Sequence, residues 1–251
     1  MAGVTRNDVV SVSDKGVSLV VSSIFLHMKS TAHIIITLFR EYFYFIYRFF
    51  FSITHRVPER WSAGDKGKVV FIPGFGARAT YYWELCEFLN QHGYTVITIP
   101  ALGQSLRKVA SEARIVVRSL TVLNHTSDVV FLSQSKGGVT VKYIIDHHPE
   151  VQVKKCITLG APYGGTYVSC LSVYQLDELL PRSSLIRKIQ KINKNNHLIH
   201  QIVPQIDNHV IPYSSLLLEG AHIHKTSVVG HTLLSQEPEA LKKVVELLEL
   251  G

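Results

Sequence analysis

From Lys66 onward the apolar residues follow two alternating rhythms. Short β-prone runs that stop at Gly or Pro give way to longer stretches with apolar residues three and four apart. The pattern predicts strands over 68–72, 94–99, 128–132, 153–159, 197–203 and 222–229, and helices over 80–92, 106–123, 139–147 and 238–250. In the second helix Val109, Ala113, Val116, Val117 and Leu120 share one face. The last helix has Pro238 at its start, Glu239 in its first turn and Gly251 just past its end, which suit helix boundaries. Strands alternating with helices predict an α/β fold with a mostly parallel sheet and helices on both faces. Such sheets bind ligands beyond the carboxyl ends of their strands. Phe75, Ser135 and the loop at Gly160 all fall at such ends.

Two stretches depart from this rhythm. Over 163–196 the alternation breaks at Leu179-Leu180-Pro181, and a basic amphipathic piece spans 184–193. Leu185, Ile186, Ile189 and Ile192 supply its apolar face, and Arg187, Lys188, Lys191 and Lys194 its charge. This insert fits a short cap or lid over the sheet edge, and equally an ordinary crossover helix with a solvated basic face.

The other departure is the N-terminal segment 1–60, set apart from the domain expected over 61–251. A polar start over 1–16 precedes apolar runs at 17–26 and 32–38 and an aromatic block at 39–51. Lys29, Arg40, Glu41 and Arg48 interrupt any membrane-spanning reading, because charge at mid-bilayer is costly. On a helix, Glu41, Tyr44, Arg48, Ser52 and His55 form one stripe, while Phe39, Phe43, Phe45, Ile46, Phe49 and Phe50 take the other faces. That profile is expected of an interfacial helix meeting a membrane surface through residues 17–56. The alternative is a helix packed on the domain's own core. A cleaved signal peptide fits poorly, since the apolar stretch begins late, follows Asp14 and Lys15, and lacks a clean small-residue cleavage site. The expected location is membrane-associated or cytoplasmic.

Composition narrows the picture a little. A chain of 251 residues suits one α/β domain with an appendage, and 46% hydrophobic residues argue against disorder. A net charge of +7 favours anionic surfaces. Without an RNP-like, finger or helix-turn-helix signature, a nucleic-acid partner is not expected. Cys86, Cys156 and Cys170 are odd in number and lack metal-site spacing, so neither a disulfide framework nor a metal is expected, and a reducing compartment is favoured.

The candidate chemistry lies in Val129-Val130-Phe131-Leu132-Ser133-Gln134-Ser135-Lys136-Gly137-Gly138. A strand, a tight turn and a helix push one side chain, Ser135, out of the backbone at the top of a sheet. A serine hydroxyl needs a base to take its proton and a carboxylate to orient that base. Asp207 follows the penultimate strand and His231 the last. His222 and His224 lie inside a strand and are weaker candidates.

Five segments together resemble the α/β-hydrolase superfamily, in its lipase and esterase branch. They are Phe71-Ile72-Pro73-Gly74-Phe75-Gly76, the Ser133–Gly138 turn, Gly160-Ala161-Pro162-Tyr163-Gly164-Gly165-Thr166, Asp207-Asn208-His209-Val210-Ile211-Pro212 and Gly230-His231-Thr232-Leu233-Leu234. The resemblance they carry runs over 70–165 and 202–234, most of 68–250. The family's usual His before the first-loop Gly is Pro73 here, and Ser133 and Gln134 stand where Gly and His are common. The resemblance implies Ser135 as nucleophile, His231 as general base and Asp207 as its orienting acid. It places the oxyanion hole at the backbone N–H groups of Phe75 and Lys136. The implied reaction is hydrolysis of a lipid or acyl ester through an acyl-serine, with no cofactor. An acyltransferase or thioesterase would use the same triad, and a non-catalytic lipid- or partner-binding protein would use the same fold.

Overall fold

The computed structural model describes residues 14–171 and 176–250, with side chains from Ile34 onward and Leu171 excepted. The polar start at 1–13, residues 172–175 of the insert and the terminal Gly251 lie outside the described residues. Two compact units divide between Arg40 and Glu41. In the first, the described backbone belongs to helix α1, Asp14–Thr54. The expected division after residue 60 falls instead after Arg40, because Glu41, Arg48 and Ser52 are buried within the larger unit. Among the described residues no helix is long and apolar enough to cross a membrane.

The larger unit, Glu41–Gly251, holds six parallel strands: β1 (Gly67–Ile72), β2 (Tyr94–Thr98), β3 (Val129–Gln134), β4 (Val153–Leu159), β5 (Ile199–Val203) and β6 (His222–Lys225). Their order is β2-β1-β3-β4-β5-β6, with Phe71 beside Leu132 and Gln134 beside Leu159. The chain first steps outward from β1 to β2, then crosses back to β3. That reversal makes the carboxyl ends of β1 and β3 a topological switch point, where a crevice opens.

Strand residues alternate between two cores. Val70 and Ile72 of β1 face one side with Phe131, and Val69 and Phe71 face the other with Leu132. The first core takes α3 (Val109–Val122), α4 (Lys136–His147) and α5 (Ser184–Lys191), whose buried residues include Val116, Ile144 and Ile189. The second takes α2 (Trp83–Gln91) and α6 (Pro238–Glu249) through Leu85, Leu89 and Val244. Each face is sealed by helices, as a parallel sheet requires.

Element types agree with the sequence pattern, and the boundaries shift for local reasons. A 3-10 turn, Ala79–Tyr82, precedes α2. α4 starts at Lys136 rather than Val139, because the turn at Ser135 enters the helix without a linker. β6 ends at Lys225, and only Val229 pairs again beyond it, with Ile206. In the insert, α5 buries Leu185, Ile186 and Ile189 against the core, so that piece is a packed crossover helix.

Candidate active site

Ser135 sits between β3 and α4 with φ 54° and ψ −125°, a conformation that L-residues rarely adopt. β4 holds the strand end in place: Ser135 N–H donates to Leu159 O at 2.9 Å. α4 then passes so close to β1 that a Cβ at Gly137 would run into the carbonyl oxygens of Ile72 and Pro73. The glycine is therefore required by close backbone approach. The turn is strained, and the ladder on one side and the helix on the other over-determine it.

The two unusual residues before Ser135 have defined places. Ser133 is buried in β3. Gln134 Oε1 accepts from Tyr82 Oη at 2.8 Å, and that same phenol oxygen accepts from Gly74 N–H at 3.0 Å. Gln134 thus ties the loop after β1, which carries Phe75, to the turn that carries Ser135. The network is buried, so each member depends on the others for its partner.

Asp207 and His231 meet as a pair. Asp207 Oδ2 lies 2.8 Å from His231 Nδ1, with both side chains buried. Asp207 Oδ1 accepts from His209 N–H and Val210 N–H, each at 2.8 Å. Burial alone would raise the Asp207 carboxyl. The His231 charge and hydrogen bond and the two backbone N–H groups outweigh it, so the group sits below the usual aspartate range. Burial alone would lower His231, and Asp207, with a smaller contribution from Glu41, raises it above the usual histidine range. The His209 ring lies 4.8 Å from the His231 ring, and burial pushes it down to about 4. His209 therefore stays neutral beside His231 near neutral pH.

Ser135, His231, Phe75 and Lys136 line one cavity of about 300 Å³. Asp207 stands behind His231 and holds its far nitrogen. Lys136 opens α4, where the first N–H groups have no partner within the helix. Phe45, Phe49, Tyr81, Val168, Leu179 and Val210 make the cavity largely apolar. Val168 and Leu179 come from the insert, so that stretch forms part of the wall. His222 and His224 stand apart, stacked against His200 at 4.7 Å and 5.4 Å between ring centroids. No group of His, Cys, Asp or Glu among the described residues is arranged to hold a metal ion.

Three features of the site were not visible in the sequence. Glu41, from α1, accepts backbone N–H bonds from His231 and Thr232, each at 3.0 Å. Asn208 Oδ1 shares the His231 N–H, also at 3.0 Å. The Lys136 ammonium lies buried 2.6 Å from the Glu112 carboxylate. The polar stripe of α1 had placed Glu41 on one face without saying what that face meets, and Asn208 had stood only as a neighbour of Asp207.

No protein-family model matches the sequence, and no curated protein does. Solved structures do match in three dimensions. A lipase of Bacillus licheniformis superposes with a TM-score of 0.59 at 16% identity, over 77% of this chain and 94% of that one. An α/β-hydrolase enzyme from the metagenome of Mar Chica lagoon sediments, in Morocco, gives 0.56 at 18%, over 74% and 91%. A monoacylglycerol lipase of Paleococcus ferrophilus gives 0.52 at 14%, over 74% and 94%. The strand order, the strained Ser135 turn at the switch point and these superpositions agree: the chain has the α/β-hydrolase fold.

Proposed function

We propose that the protein is a serine hydrolase of carboxylic esters with apolar acyl groups. Ser135 Oγ attacks the ester carbonyl while His231 Nε2 takes its proton. Asp207 keeps the imidazole in the required tautomer and offsets the charge it gains. The N–H groups of Phe75 and Lys136 stabilise the oxyanion. The tetrahedral intermediate collapses to re-form the carbonyl and breaks the ester C–O bond, His231 gives its proton to the leaving oxygen so that the alcohol departs, and an acyl-serine remains. Water, deprotonated by His231, then releases the acid and restores Ser135. The observation that carries this reading is the buried Asp207–His231 pair opening onto the cavity lined by the strained Ser135 turn. The apolar walls favour an acyl chain longer than acetyl.

A fluorophosphonate probe is expected to label the protein at Ser135, read by peptide mapping. Across p-nitrophenyl esters, kcat/KM is expected to rise from acetate to longer chains. An unlabelled protein that turns over no ester would sink the proposal.

The same reading takes a lipid surface as the source of substrate. Within the larger unit, α1 turns Glu41, Arg48 and Ser52 inward, where Arg48 pairs with Glu84 and Ser52 O accepts from Thr80 Oγ1 at 3.0 Å. Tyr42, Phe43, Ile46, Phe50 and Ile53 then line the outward side, and Phe43 is 71% exposed. Phe45 and Phe49 of the same helix line the cavity. A surface helix normally buries its apolar side, so this reversal is support for an apolar medium outside. Burial of one Phe side chain contributes about 1.5–3 kcal/mol. The double variant Phe43→Ser/Phe50→Ser is therefore expected to bind anionic vesicles at least about 100-fold more weakly in flotation. Unchanged flotation would count against it.

A further inference from the structure

The backbone that carries His231 is held from a distant part of the chain. Glu41 Oε1 accepts both N–H groups of the His231–Thr232 pair at 3.0 Å. These are the first N–H groups of the short turn Thr232–Ser235, which have no partner inside it. The carboxylate fills the space beside Gly230, whose φ of 110° leads the chain into His231. A Cβ at Gly230 would collide with Glu41 Oε2, so glycine and glutamate fit as one packed unit. Oε2 itself is buried without a hydrogen-bond partner. A carboxylate kept in that state is costly unless the bonds made by its other oxygen offset the burial.

We propose that Glu41 is a positioning residue of the active site, clamping the His231–Thr232 backbone so that the imidazole bridges Asp207 and Ser135. The proposal rests on the serine-hydrolase reading and gives α1, whose Phe45 and Phe49 line the cavity, a second part in the site. Asp207 fixes the imidazole through its side chain, and Glu41 fixes the same residue through its main chain. Asn208 supplies a second acceptor for the His231 N–H but none for Thr232. Loss of Glu41 thus frees Thr232 N–H and loosens the turn without removing the Asp207 bond.

Glu41 also acts through charge. The groups facing His231 are Asp207, Glu41 and the neutral His209, and those facing Glu41 are His231, Asp207, Asn208, Thr232 and Tyr81. Burial lifts the Glu41 carboxyl above the ordinary glutamate range, against the Thr232 hydrogen bond and the His231 charge that pull it down. When ionised it favours imidazolium at His231. Only neutral His231 is a base, so kcat/KM is expected to fall tenfold per pH unit below the raised His231 value and to level off above it.

The test compares wild type, Glu41→Gln and Glu41→Ala as full chains, by pH–rate profile on a p-nitrophenyl ester and by NMR titration of the His231 imidazole. Glu41→Gln keeps an acceptor oxygen and loses the charge. Its acid limb and imidazole titration are expected to move about one pH unit lower. Glu41→Ala loses the clamp and is expected to lose about 10- to 100-fold in kcat with KM little changed. Unmoved titrations in Glu41→Gln, or an unchanged kcat in Glu41→Ala, would overturn the proposal. Should Glu41→Ala not fold, the Glu41→Gln titration decides. A wild type that hydrolyses no ester would fail the serine-hydrolase reading, and the NMR titration would still decide for or against Glu41.

Discussion

Ser135→Ala is expected to lower kcat for ester hydrolysis on the order of 10⁶-fold, with fluorophosphonate labelling abolished. Asp207→Asn is expected to cost less, about 10⁴-fold, because an amide fixes the imidazole in the wrong tautomer while the nucleophile stays in place. Residual turnover in Ser135→Ala would come from the oxyanion N–H groups and from binding alone. The stability readout runs the other way. Ser135 holds φ 54° and ψ −125°, and an alanine there keeps that strain. Glycine relieves it, so Ser135→Gly is expected to be more stable than wild type by about 1 kcal/mol, seen as a higher urea midpoint. An inactive Ser135→Gly with a raised midpoint ties the strain to function. Turnover near the wild-type rate in Ser135→Ala would move the nucleophile elsewhere.

What was legible in the sequence followed from local periodicity and order. Each strand is a short run whose two faces both need covering, and each helix repeats every three to four residues. The order Ser135, Asp207, His231 needs only strand ends to bring it to one edge. The sidedness of α1 was not legible. Its stripe of Glu41, Arg48 and Ser52 could be read from spacing, yet polar stripes ordinarily face water. Here they face the core, because Glu41 meets backbone N–H groups 190 and 191 positions away and Arg48 meets Glu84. Gln134 was similarly silent: its partner, the Tyr82 hydroxyl, is 52 positions distant. The turn points to Lys136 only through its main-chain N–H, and nothing in the spacing announces that its side chain is buried.

That side chain leads to the second large effect. The Lys136 ammonium lies 2.6 Å from Glu112 Oε1, with the lysine side chain 1% exposed and the glutamate 0%. It donates also to Ser105 O at 3.1 Å and Arg107 O at 2.6 Å. Glu112 in turn accepts from Ser105 Oγ at 3.0 Å and Arg107 N–H at 3.1 Å. The pair therefore fastens the start of α4, next to Ser135, to the loop before α3. Burial lowers the Lys136 pKa, and Glu112 is the main group opposing that shift. Glu112→Gln leaves the ammonium buried with carbonyls only. It is expected to cost about 3–5 kcal/mol, read as a lower urea midpoint at unchanged slope. Replacing both partners by apolar residues, as Glu112→Leu/Lys136→Met, removes the uncompensated charge, and stability is expected to return to within about 2 kcal/mol of wild type. Activity is not expected to return with it. The double variant leaves Ser105 and Arg107 without their partners, so the loop and the first turn of α4 are no longer held to one another beside Ser135. A double variant no more stable than Glu112→Gln would show that the polar bonds to the loop, rather than the charge pair, hold this end of the helix.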